Sequence, residues 1–457
     1  MRSSLRTILS TVVLGLAFVQ PGCTSRDAGE DVVVIVVDTL RNDRLGTSGH
    51  DRPVSPAIDR LAADGIVFSE ARAVASWTKP TVASILTGYT PRRHGALRYD
   101  EGLGRVPTLA TRLSLAGYAA RAVVANPFLD GAGFERGFES FQNLSRKGRW
   151  QVPGRVVTNA AIRALEDHGQ VFLYAHYLDP HDPYEPGDGA RKALVRPYDG
   201  PAEGSMAFMR GPLLRKTHPV SEADVAHLLD LYDAEIRTVD AAIGRLLDWL
   251  RAAGRYDDAW IVLTSDHGEE FHDHGGWLHS YTLYEEQLHV PLIVKPPRRL
   301  GIAPGRRDAL VGQIDVVPTL LDGLGLAADD PPEGRSLLPL MRDPAAADPD
   351  RILFSEQGFG RQTGRVGLGS AGRRGSLKWI QVDGEYSHQP TPPDGECYDL
   401  ASDPDERNNL ARPDGAHPCR ELADEVEAWR RGERAEGVAL DIPAETEERL
   451  RALGYTP

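Results

Sequence analysis

Residues 31–38 read Asp-Val-Val-Val-Ile-Val-Val-Asp, and six consecutive β-branched residues between two carboxylates have few places to go in a fold. Such side chains favour extended backbone, and a strand that is apolar on both sides needs both faces covered. The run therefore predicts a central strand with helices above and below it. It also puts Asp38 at the strand's carboxyl end, the edge where open α/β sheets build ligand sites. Similar apolar runs recur at 119–124, 170–177, 260–264 and 290–295, separated by helical patterns at 56–64, 78–88, 107–116, 157–168 and 222–253. This alternation predicts an α/β fold, a mostly parallel sheet sandwiched by helices. Past a further helix at 316–324, the composition shifts near residue 345 to arginine and glycine. A strand at 377–382 and helices at 420–434 and 446–453 are expected there. The reading is a large unit over 31–344 and a smaller C-terminal α+β subdomain over 345–457. Residues 185–220, rich in Pro, Gly and Arg, read as a long loop over the substrate mouth.

The 457 residues are 41% hydrophobic, enough for a well-cored globular chain, and the formal net charge is −14. That charge argues against nucleic acid or an anionic membrane surface as partner. Residues 1–23 read as an export signal: Arg2 and Arg6 precede an apolar run at 8–19 that is too short to span a bilayer. Cys23 then allows two readings, a periplasmic or cell-envelope lipoprotein held to the membrane by a lipid anchor at this residue, or a secreted protein. Cys397 and Cys419 remain as an even pair in a compartment that permits disulfides, and a bridge between them is expected.

Four residues carry the candidate chemistry. Pro80 fits a first helical turn and Gly88 a helix end, so Thr78 lies at or beside an N-cap, where free N–H groups attract an anion. Asp38, Asp266 and His267 each follow a buried strand, which brings them to the same sheet edge. Two carboxylates, an imidazole and a hydroxyl form a mixed set suited to zinc, manganese or a similar divalent ion. Such an ion would lower the pKa of the Thr78 hydroxyl and make a nucleophile of it. Asp43 and His50 read as solvated loop residues.

Several motifs, taken in order, resemble the sulfatase family of the alkaline phosphatase superfamily. They are Asp38-Thr-Leu-Arg-Asn-Asp-Arg-Leu-Gly, Trp77-Thr-Lys-Pro-Thr-Val-Ala-Ser-Ile-Leu-Thr-Gly, Asp179-Pro-His-Asp-Pro-Tyr and Thr264-Ser-Asp-His-Gly-Glu-Glu, followed by Tyr284-Glu-Glu, Asp315-Val-Val-Pro-Thr-Leu and Tyr398-Asp-Leu-Ala-Ser-Asp-Pro-Asp-Glu. The resemblance implies an alkaline-phosphatase-like core and a metal-dependent hydrolase of sulfate or phosphate esters, with a covalent intermediate on Thr78. It also implies metal ligands at Asp38, Asp266 and His267, His181 and His279 beside the ester oxygens, and Asn126 on the anion.

This chain departs from the family pattern in four places. Sulfatases that hydrate a formylglycine need cysteine or serine where Thr78 stands, and a threonine Cβ carries a methyl group, so no aldehyde can form there. No formylglycine cofactor is expected. Val82 replaces an arginine, Thr39 an aspartate and His267 an asparagine. The last two changes favour zinc or manganese over calcium. Lys79 has two readings: it reaches the substrate anion in place of the missing arginine, or it is a solvated first-turn side chain. The expected substrate is an anionic small molecule or a glycan or lipid ester, with phosphate-type esters ahead of sulfate. Two alternatives remain, an envelope phosphoglycerol or phosphoethanolamine transferase and a non-catalytic glycan- or envelope-binding relative.

Overall fold

The computed structural model describes residues 30–440 apart from 146–150, 167–168, 359–367, 384–391, 393 and 413. The export signal, Cys23 and the helix expected at 446–453 lie outside the described residues.

The valine run forms β1 (Val32–Val37), and every residue in it is buried. Its side chains alternate between two separate cores. Val33, Ile35 and Val37 enter one core with α1 (Pro56–Ala63), α4 (Gly154–Leu165) and α5 (Glu222–Ala252). Val32, Val34 and Val36 enter the other with α2 (Thr78–Thr87), α3 (Leu109–Leu115) and α6 (Val316–Gly323). At roughly 1.5–3 kcal/mol per buried aliphatic side chain, a single strand anchors both layers.

Around β1 lie β2 (Ile66–Arg72), β3 (Ala119–Val124), β4 (Ser140–Asn143), β5 (Val171–Tyr177) and β6 (Trp260–Ser265). A short hairpin of β7 (Glu270–Phe271) and β8 (Trp277–Leu278) precedes β9 (Leu292–Lys295) and β10 (Gly305–Gly312). The main sheet has eight strands in the order β10-β2-β9-β6-β1-β5-β3-β4. All its pairings are parallel except those of β9, which runs against β2 and β6. The carboxyl ends of β1, β3, β5 and β6 therefore share one edge.

A second sheet is antiparallel and four-stranded: β11 (Ile352–Gln357), β12 (Gly369–Arg374), β13 (Leu377–Val382) and β14 (Glu396–Asp399). Leu422 and Val426 of α7 (Arg420–Arg431) pack on it with Trp379 and the Cys397–Cys419 pair. The expected disulfide is formed, with the Cα atoms 5.8 Å apart.

Two loop readings are corrected. Residues 185–220 are not one loop: Asp188–Leu194 is helical, and Met206–Phe208 runs directly into a π-helical turn at Met209–Leu213. Asp43 and His50 are not simply solvated, because Asp43 takes two hydrogen bonds from the Arg41 guanidinium and the His50 ring meets Asp233 at 3.3 Å.

Candidate active site

α2 starts at Thr78 and not one residue later, because Trp77 is extended and caps the helix without a side-chain bond. Pro80 in the first turn needs no donor, and Gly88 closes the helix with φ of 75°, a left-handed conformation that glycine adopts without strain. Thr78 is thus the first helical residue, buried, at the end where N–H groups lack helical partners.

Around it stand the strand-end residues. Asp38 follows β1, and Asp266 and His267 follow β6. His267 Nε2 lies 3.4 Å from Thr78 Oγ1, 3.4 Å from Asp266 Oδ2 and 3.7 Å from Asp38 Oδ1. The remaining carboxylate oxygens are fixed. Asp38 Oδ2 accepts from Asn126 Nδ2 at 2.7 Å and faces His176 Nε2 at 3.1 Å, while Asp266 Oδ1 accepts from the backbone N–H groups of Thr39 and His267. By contrast, Asp38 Oδ1 and Asp266 Oδ2 are buried with no hydrogen-bond partner.

Two orphaned anionic oxygens that face one ring nitrogen and one hydroxyl make a donor set that fits a divalent cation. Ligand atoms about 2.0–2.2 Å from a tetrahedral ion stand ~3.3–3.6 Å from one another, close to the spacings found here. Asp38, Asp266 and His176 also cluster tightly enough to hold an ion. Both ring nitrogens of His176 already have partners, Asp38 and the Tyr174 hydroxyl. His267 Nε2, which points at the orphaned oxygens, could serve as a fourth ligand, with His176 bracing Asp38.

The two carboxylates differ electrostatically. Burial opposes the charged form of Asp38, yet the His176 hydrogen bond and the surrounding histidines bring it down to about 2. Burial raises Asp266, and the Asp38 charge raises it further.

His279 follows β8 and sits against the cluster, its ring centre 4.4 Å from that of His267 and 4.9 Å from that of His181. The Ser280 N–H donates to Ser76 O, which ties the β8 end to the segment that enters α2. His279 Nδ1 lies 2.8 Å from Glu269 Oε1, and His181 Nδ1 lies 2.7 Å from the Asp182 carbonyl. Three non-glycine residues here have left-handed backbone: Thr39, Leu278 and Ser280, with φ of 55°, 67° and 79°. Such conformations cost of order 1–3 kcal/mol each and gather at functional sites.

The structure brings Asp38, Thr78, Asn126, Asp266 and His267 together, with His279 and His181 beside them. Lys79 is different. Only 2% of it is exposed, so the solvated reading fails, and its ammonium donates to the main-chain carbonyls of Tyr99 and Glu101. Burial, partly offset by Asp100 and Glu101, pulls it down to about 7. Val82 is fully buried in the core beside Ile85 and Leu86. Sequence reasoning missed His176, Glu269 and Arg210. The signal for His176 was a histidine inside an otherwise buried strand.

A sequence model of the Sulfatase family matches residues 30–326, more than half of the chain. The chain belongs to the sulfatase family, metal-dependent hydrolases of sulfate or phosphate esters. It is similar to an arylsulfatase of Clostridium perfringens, 24% identical over 83% of this chain and 90% of that one. It is also similar to a multifunctional alkaline phosphatase superfamily protein of Trinickia caryophylli, 25% identical over 88% and 95%. Among solved structures, the phosphonate monoester hydrolase of Agrobacterium radiobacter superposes with a TM-score of 0.71 at 22% identity, over 88% of this chain and 95% of that one. A protein solved with its substrate D-glucosamine-2-N,6-O-disulfate gives 0.72 at 20%, over 93% and 98%. At these identities the superpositions establish a shared fold: the mixed central sheet with flanking helices and a C-terminal antiparallel sheet.

Proposed function

We propose that the chain hydrolyses phosphate-type esters, a phosphomonoester, phosphodiester or phosphonate ester ahead of a sulfate ester, with Thr78 as its nucleophile. The observation that carries this reading is the Thr78 hydroxyl 3.4 Å from His267 Nε2, beside the unpaired oxygens of Asp38 and Asp266. Because the threonine Cβ bears a methyl group, the hydrated-aldehyde route to sulfate hydrolysis is closed. A direct alkoxide attack suits phosphorus.

Asp38, Thr78, Asp266 and His267 would hold one divalent ion, zinc or manganese ahead of calcium. Bound there, such an ion lowers the pKa of the Thr78 hydroxyl and offsets the charge of the substrate anion. Thr78 Oγ1 attacks phosphorus at the amino end of α2, whose unbonded N–H groups face the anion. Asn126, with Nδ2 3.5 Å from Thr78 Oγ1, holds Asp38 and borders the anion's place. His181 or His279 gives a proton to the leaving oxygen, and water then releases phosphate from Thr78. Lys79, tied to the 99–101 backbone, supports the entry to α2 and is not assigned to the anion.

The substrate is an anionic small molecule or an ester carried by a glycan or lipid. We place the catalytic unit at 31–344 and the protein outside the cytoplasm, as an envelope lipoprotein through Cys23 or as a secreted enzyme. Mass spectrometry of the mature amino terminus separates the last two.

The test compares rates on aryl sulfate, aryl phosphate, phosphodiester and phosphonate ester with zinc, manganese and calcium, in the native enzyme and in Thr78→Ala. A phosphate-type ester is expected to be fastest, and the variant should lose on the order of 10³-fold or more. A sulfate ester fastest in the native enzyme, or undiminished turnover by the variant, overturns the reading.

A further inference from the structure

We infer that His279 and not His181 delivers the proton to the leaving oxygen, and that Glu269 is the residue that positions it. This rests on the reading of Thr78 as nucleophile and assigns the acid that the reading leaves open between two histidines.

The two histidines have different carboxylate neighbours. Asp182, beside His181, is gripped from both sides of its carboxylate by Arg210, with Nε to Oδ2 at 3.0 Å and Nη2 to Oδ1 at 2.8 Å. His181 Nδ1 also meets Asp182 Oδ1, at 3.2 Å, but that oxygen is shared with the guanidinium, whose charge offsets the carboxylate's. Glu269 is fully buried, and its oxygens meet His279 Nδ1 at 2.8 Å and the Tyr184 hydroxyl at 3.3 Å. Arg210 also favours its charged form, and the ionic contact at its oxygens is His279. The Glu269 backbone is fixed as well, since its carbonyl accepts from Arg41 Nη1 and its N–H donates to Glu286 O. A buried carboxylate on Nδ1 settles which way the ring faces and directs Nε2 to the other side of the ring.

The chain on both sides of His279 carries strain. Leu278 and Ser280 both have positive φ, a conformation that a leucine rarely adopts, whereas neither neighbour of His181 does. His279 thus sits between two left-handed residues at the spot where β8 meets the approach to Thr78.

In the step this implies, Thr78 gives its hydroxyl proton to solvent, and Oγ1 forms a bond to phosphorus while the bond from phosphorus to the leaving oxygen breaks. The leaving oxygen keeps the electron pair and takes a proton from His279 Nε2. The Glu269–His279 pair carries two protons before the step, one on Nε2 and one between Oε1 and Nδ1; when Nε2 gives up the first, the second stays on Nδ1 and Glu269 is left ionised. In the second half, water adds to phosphorus, gives one proton to Nε2 and leaves the other on the released phosphate or phosphonate, while the bond from phosphorus to Thr78 Oγ1 breaks and Oγ1 takes a proton back from solvent.

General acid catalysis matters most when the leaving group is a poor one. The experiment measures kcat and KM for a series of aryl and alkyl phosphate-type esters in Glu269→Gln, His279→Ala, their double variant and Asp182→Asn, with metal content determined alongside. Glu269→Gln and His279→Ala should each lose on the order of 10²-fold in kcat on alkyl esters and under about threefold on 4-nitrophenyl esters, with metal content and KM little changed. The double variant should be no worse than His279→Ala, and Asp182→Asn should leave the leaving-group dependence as it is. If Glu269→Gln does not fold, His279→Ala and Asp182→Asn carry the same comparison. Equal losses on both ester types, or a selective loss in Asp182→Asn, overturn the inference. Undiminished turnover in Thr78→Ala removes instead the reading beneath it.

Discussion

Asp38 Oδ1 and Asp266 Oδ2 share one buried space without a donor between them. An unsatisfied buried charged group costs about 1–3 kcal/mol or more, so the two carboxylates destabilise the fold unless a cation joins them. Replacing Asp266 by Asn should then act in opposite directions. In chelator-treated protein the variant should unfold at a higher temperature than the native chain, because one of two like charges is gone. In metal-loaded protein it should unfold lower and retain less metal, as calorimetry and elemental analysis would record. A variant that is less stable in both states would mean the pair is not held in repulsion. Asp38, Thr78, Asp266 and His267 were legible in the sequence because each follows an apolar run or opens a helix. His176 was not, since one histidine inside an apolar run reads equally well as a core residue. Glu269 was not, because its partner lies ten residues on, across a hairpin that only the fold closes.

At the scale of elements, the two sheets meet through a buried ionic cluster. Lys378 Nζ of β13 lies 2.9 Å from Glu285 Oε1 and 2.7 Å from Glu406 Oε1, and Arg72 of β2 meets Glu285 Oε2 at 2.6 Å. Removing one partner of a buried pair leaves an uncompensated charge, so Lys378→Met should cost about 3–5 kcal/mol in chemical denaturation. A loss below about 1 kcal/mol would show that the cluster does not clamp the sheets. Acid should act through Glu285. Burial favours its neutral form, but Arg72 and Lys378 outweigh that and hold it at about 2, against an ordinary 4.5. Its folded-state value is depressed, so its contribution is complete above about pH 4.5 and is lost as pH falls towards 2. Native stability should decline across that window, and the decline should be shallower in Lys378→Met. An equal slope in both would contradict the assignment. β1 and β5 could be read directly from apolar runs, but β12 is Gly-Ser-Ala-Gly-Arg-Arg with no β-branched residue, and only pairing with β11 and β13 makes it a strand. β2 escaped notice because Ser69, Glu70 and Arg72 interrupt its apolar pattern.

For the molecule as a whole, the doubly covered sheet aligns several strand ends along one edge, and the candidate site occupies that edge. That much followed from sequence, because a valine run between two carboxylates allows little else. The reversal of β9 and the strand order did not follow, since pairing depends on contacts distant in the chain. Family membership joins the chain to hydrolases of sulfate or phosphate esters, and we propose that Thr78 sets it apart from the formylglycine type. We propose that Thr78 itself carries the substrate's phosphoryl or phosphonyl group during turnover. Rapid acid quenching of the metal-loaded enzyme with an aryl phosphate-type ester, followed by peptide mass spectrometry, tests it directly. The expected product is a peptide modified at Thr78 by one phosphoryl or phosphonyl group, formed and lost at rates that match turnover. Continued turnover with Thr78 unmodified, or with the group on another residue, would contradict it.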